Sequence, residues 1–96
     1  MSERIEKLRD AVQVVHQCRA AHVASVPVRE MFGGQVAWEG VVETFAISGH
    51  AKAKTCYAWS YQEGNETQFV TVLEIPPVES PQTAVRAAIA SKASNK

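Results

Sequence analysis

The residue pattern predicts an α+β fold: an N-terminal helix, a four-stranded antiparallel β-meander with a bent second strand, and a C-terminal helix. All of it belongs to a single domain over residues 1–96. Three observations predict this. Apolar residues recur at helical spacing as far as residue 20, a period of two takes over from 22 to 75, and Ser80-Pro81 then opens a second helical stretch. The length suits one modest core and no second domain.

The first helix is expected over Ser2–Ala20, with Ser2 as N-cap and Glu3 and Glu6 in the first turn, where the helix dipole favours negative charge. Ile5, Leu8, Val12 and Val15 form its apolar stripe, with Ala11 and Cys18 alongside. Valine-rich His22–Phe32 reads as the first strand, and Pro27, which has no N–H, assigns it to a sheet edge. Gly33-Gly34 tolerates positive φ and predicts a hairpin into the second strand, Gln35–Ile47. The third strand is Lys54–Gln62 and, after a Glu63-Gly64-Asn65-Glu66 turn, the fourth is Gln68–Ile75. Pro76-Pro77 ends the sheet. Ser80 at the N-cap and Pro81 at N1 start the last helix, with Val85, Ala88 and Ile89 as a narrow stripe and a Ser94-Asn95-Lys96 tail that frays.

The second strand is the least regular. Val36 and Trp38 occupy even positions, whereas Val41, Phe45 and Ile47 are odd, which predicts an inserted residue near Glu39-Gly40. Glu43 then shares the inward face and needs a partner. The alternative puts Glu43 at a solvated margin, with Val42 covered by a partner chain.

Composition excludes several classes of function. The chain is 46% hydrophobic and 21% charged, and ten acidic residues balance ten basic ones, so no basic nucleic-acid surface is expected. Nucleic-acid binding would require Lys52, Lys54, Arg29 and Arg86 to converge. No apolar run follows a basic start, and none is long enough to span a membrane. Two distant cysteines, Cys18 and Cys56, without a C-x-x-C pair, predict reduced thiols in a cytoplasmic protein with no metal site. No nucleotide-, phosphate- or nucleophile-elbow motif is present, no cofactor is expected, and the reading leans away from an enzyme.

Among the histidines, His16 and His22 read as solvated and boundary residues. His50, in a loop with Lys52 and Lys54, is either part of a soluble turn or, near Glu43, a base. Trp38, Tyr57, Trp59 and Tyr61 form an aromatic sheet face that either fills the core or opens as a pocket or subunit interface. The uncharged run from Gln68 to Leu73 lies at an edge without Pro or Lys, which predicts a homodimer or higher homo-oligomer.

Two runs also carry a family likeness: Trp38-Glu39-Gly40-Val41-Val42-Glu43-Thr44-Phe45, continued by Gly49-His50-Ala51-Lys52-Ala53-Lys54 and Tyr57-Ala58-Trp59-Ser60, and the later Val78-Glu79-Ser80-Pro81-Gln82-Thr83-Ala84-Val85. Over residues 22–90 the chain resembles short bacterial proteins of unassigned function, some encoded on mobile gene cassettes of integrons. The resemblance implies a small, oligomeric cytoplasmic α+β protein with an accessory or adaptive role. It marks Trp38, Glu43, His50, Lys52, Tyr57 and Trp59 as pattern positions, which we take as the candidate ligand-binding or interface residues. The sequence therefore predicts an oligomeric binding module with a small-molecule ligand. The alternative is a small-molecule enzyme using Glu43 and His50 as an acid–base pair.

Overall fold

The computed structural model describes residues 3–94. Its elements run α1 (Glu3–His16), β1 (Arg19–Phe32), β2 (Gln35–Ser48), β3 (Thr55–Glu63), β4 (Glu66–Leu73) and α2 (Pro81–Ser94). The strands form one antiparallel sheet in the order β1-β2-β3-β4, so the meander is as predicted, with β1 and β4 at its edges.

Local chemistry explains the boundaries. Gly33 (φ 61°) and Gly34 (φ 79°) supply the left-handed turn that reverses β1 into β2. At the start of α2 the Ser80 hydroxyl accepts from the Thr83 amide at 3.2 Å, and the Ser80 amide donates back to Thr83 Oγ1 at 2.9 Å. This is a reciprocal cap on the predicted Ser80-Pro81 start. The predicted N-cap of α1, Ser2, lies outside the described residues, as do Asn95 and Lys96 of the predicted tail. At its other end α1 stops at His16, short of the predicted Ala20. Gln17 turns left-handed (φ 51°) and the Cys18 amide reaches back to the Gln13 carbonyl at 3.3 Å.

The two helices lie on opposite faces of the sheet. Leu8 and Val12 of α1 pack on Phe45, Ile47, Cys56 and Ala58, while Ala84 and Val85 of α2 pack on Val28, Val42, Tyr57 and Trp59. Alternate residues of one strand point to opposite faces, so each strand serves both cores. Val15, expected on the α1 stripe, is 62% exposed, and the neighbouring His16 is the residue that meets the sheet there, at Thr71.

This double cover corrects the bulge expected at Glu39-Gly40. Glu39 and Gly40 pair in regular register with Arg29 and Val28. The parity change in β2 arises because even residues Trp38 and Val42 face α2, while odd residues Phe45 and Ile47 face α1. The register shifts lie elsewhere, between His22 and Ala24 and between Glu30 and Met31, the second leaving Ala37 of β2 unmatched. Glu43 nevertheless shares the inward odd face with Phe45 and Ile47, and not the solvated margin of the alternative, although the bend that argued for this placement is absent.

The β2–β3 ladder is short, running only from Glu43↔Ala58 to Ala46↔Thr55. Beyond Glu43 the β1–β2 and β3–β4 hairpins continue as separate arms. Phe45, fully buried beneath α1, is the largest side chain in that core. Replacing it by Ala is expected to cost about 3–5 kcal/mol in urea unfolding. Exposed Val14→Ala should stay within about 0.5 kcal/mol of wild type.

Candidate functional site

On the α2 face the two arms are bridged by the last helix. Trp38 on β2, Trp59 and Tyr61 on β3, Val70 on β4 and Ala87, Ala88 and Ile89 on α2 line a groove of about 750 Å³. The alanines explain the space: their side chains are too short to fill the gap between diverging hairpins. Trp38 and Trp59 meet edge-to-face across it, ring centroids 5.6 Å apart at 62°. Trp38 reaches this position by folding its indole across Gly40, where a Cβ would lie 2.9 Å from the ring. Close approach of the ring, rather than a bulge, is thus what demands glycine at position 40. Among the described residues that line the groove, none is charged.

Tyr57 lies beneath this wall, 3% exposed. Its hydroxyl donates to the Glu74 carboxylate. Burial, and secondly that accepting carboxylate, raise the phenol well above its ordinary pKa, so it stays a neutral donor.

Glu43 faces the opposite side. Its carboxylate is 1% exposed and receives Arg4 Nη1 at 2.5 Å, Ser25 Oγ at 2.5 Å and His22 Nε2 at 2.8 Å. Arg4 Nη2 also donates to the Val41 carbonyl at 3.2 Å, just where β2 parts from β3. Burial pushes the Glu43 carboxyl up, but the hydrogen bonds from Ser25, Arg4 and His22 outweigh it and hold the group below the usual carboxylate range. In a Ser-His-acid relay the imidazole uses one nitrogen for each partner. Here Ser25 Oγ and Glu43 Oε1 both approach Nε2 of His22, at 3.4 and 2.8 Å, so no relay is formed.

The expected Glu43–His50 pair is not made. His50 sits past the end of β2, where its Nδ1 accepts the amides of Lys52 and Ala53, each at 3.1 Å. Its ring lies 6.2 Å from that of His16, whose Nε2 is 2.9 Å from Thr71 Oγ1. His16 is therefore half-buried rather than solvated, and burial, then the neighbouring His50, lower its pKa. His22, expected at a boundary, takes the role assigned to His50. Lys52 is exposed in the loop.

Of the six candidate residues, the structure gathers Trp38, Tyr57 and Trp59 on one face, places Glu43 on the other and leaves His50 and Lys52 in a loop. Arg29 pairs with Glu39 (2.7 Å) and Arg86 with Glu30 (3.2 Å), which takes two of the four cations that a nucleic-acid surface would require. Cys18 and Cys56 carry free thiols, and burial pushes that of Cys56 up to about 12, far from a reactive thiolate. Among the described residues no group of three or more His, Cys, Asp or Glu is placed to hold a metal ion, and no helix is long and apolar enough to cross a membrane.

No family model, curated protein or solved structure matches the chain. The groove and the Glu43 cluster are therefore read from their own chemistry.

Because the fold favours ionised Glu43, its contribution is complete above the ordinary carboxylate range and is withdrawn as pH falls through the lowered folded value. Glu43→Gln is expected to cost about 1–3 kcal/mol at neutral pH and to flatten the acid limb of stability. Urea midpoints measured across pH check this; an acid limb as steep as wild type contradicts it. A residual slope should remain from Glu30, lowered first by the Arg86 hydrogen bond and then by that of Gln82.

Proposed function

We propose that the protein is a binding module whose groove takes an uncharged, flat aromatic molecule between the α2 alanines and the Trp38–Trp59 wall. The observation that carries this reading is that tryptophan pair, facing a groove whose described lining residues are all uncharged. Its volume of about 750 Å³ falls within the range typical of small-molecule sites. A carboxylate or ammonium ligand would be desolvated there, and none of the described lining residues carries a charge to offset that cost. Glu43, by contrast, has its acceptors occupied and is shut away from solvent, so it serves the fold rather than a substrate. The likeness to mobile-cassette proteins adds to this proposal a cytoplasmic setting and an accessory role.

The chain's two tryptophans both line the groove, so their indole N–H resonances report on it directly. On titration with naphthalene or indole, both resonances are expected to shift and the melting temperature to rise, by mass action on the native state. Indole-3-carboxylate should do neither. Ala88→Leu, which fills the groove, should abolish the response while leaving the fold intact. Gly40→Ala should displace Trp38 and move its resonance without any ligand. Tryptophan resonances that ignore both neutral probes would overturn the reading.

A further inference from the structure

The outer edge of β4 is an ordered set of open hydrogen-bonding groups. Glu74 donates its amide to the Thr55 carbonyl at 2.9 Å, and the β3–β4 register runs from Cys56↔Leu73 to Glu63↔Glu66. Bonded and non-bonded pairs alternate in an antiparallel ladder. Glu66, Gln68, Val70 and Val72 therefore bond inward to β3, and the backbones of Thr67, Phe69, Thr71 and Leu73 point away from the sheet. The Leu73 carbonyl is taken by the Ile75 amide at 2.9 Å. What stays open among the described residues is Thr67, Phe69 and Thr71, an uncharged stretch with neither Pro nor Lys to discourage pairing. At the opposite edge, β1 lacks the Pro27 donor and has a register shift beside Val23.

We propose that this edge pairs with β4 of a second copy of the chain, antiparallel about a two-fold axis at Phe69. Self-complementarity selects both the occupant and the register. Centred on Phe69, each Thr67 faces Thr71 of the other copy, Gln68 faces Val70 and Glu66 faces Val72. The amides and carbonyls of Thr67, Phe69 and Thr71 are then all used, and no like charges meet. Centring instead on Val70 would oppose Glu66 to Glu74 and call on the occupied Leu73 carbonyl. Centring on Gln68 would draw in Asn65, which belongs to the turn. A closed two-fold pair also removes the edge, whereas a head-to-tail contact would leave one open.

The pairing extends the groove. Even-numbered β4 side chains face α2, so Gln68 and Val70 of the second copy continue the wall formed by Tyr61 and Val70. On the other face the two Phe69 rings, each 43% exposed in the single chain, meet across the axis. The pairing does not depend on the ligand reading, because an empty groove would leave the edge unchanged.

Sedimentation velocity of the full chain is expected to show a dimer in the micromolar range. Amide exchange at Thr67, Phe69 and Thr71 should slow as concentration rises. Phe69→Lys and Phe69→Glu should each sediment as folded monomers, and their equimolar mixture should recover the dimer, because residue 69 meets itself only in this register. A monomeric wild type, a dimeric Phe69→Lys, or a mixture of folded variants that stays monomeric overturns the proposal. Should either variant fail to fold, exchange in the wild type decides: fast, concentration-independent exchange at those three amides overturns it as well.

Discussion

The arrangement of the whole chain hangs on one buried carboxylate. Glu43 sits at the last β2–β3 pair and takes hydrogen bonds from three separate stretches: Arg4 in α1, and His22 and Ser25 on either side of the β1 register shift. An ionised carboxylate in a core is tolerated only when its lone pairs are used, and these three donors use them. Arg4 serves a second need. The Val41 carbonyl loses its ladder partner as β3 turns away, and the guanidinium supplies one. One side chain thus seats α1 on the sheet and closes the backbone at the point where the sheet splits.

The split creates the groove. If β2 and β3 stayed paired along their full lengths, Trp38 and Trp59 would stand on a continuous sheet and α2 would lie flat upon them. Because the ladder ends at Glu43, the hairpins diverge, and an alanine-rich helix covers the gap without filling it. Arg86 and Gln82 fasten the N-terminal half of that helix to Glu30 of the β1–β2 arm. The next turns, with Ala87, Ala88 and Ile89, are left over the groove.

Much of this was legible in the sequence wherever a local signal had a local cause. Gly33-Gly34 supplies a turn, Ser80-Pro81 a cap, and Leu8 and Val12 a stripe. What escaped was set by tertiary cover. The parity change in β2 looks like an inserted residue only if one face of the sheet is buried. With a helix on each face, both parities are core. The partners of Glu43 were hidden for a related reason. A period of two puts His22 and Ser25 on opposite faces, and only the shift beside Val23 brings both to the same carboxylate. Of the two readings of His50, the pairing with Glu43 fails and the turn holds, because its Nδ1 is used by the amides of the loop itself. The end of α1 gave no warning either, since Gln17 takes the left-handed conformation that glycine usually marks.

The two faces of the sheet are therefore linked through one stretch of strand. Glu43 points toward α1, while its neighbour Val42 and, beyond it, Trp38 point toward α2. At the end of the short ladder, where the two arms part, Arg4 grips both Glu43 and Val41. Protonating Glu43 weakens three hydrogen bonds there without touching a groove residue. The residues that hold α1 to the sheet and those that line the groove thus leave the same stretch of β2 on opposite faces.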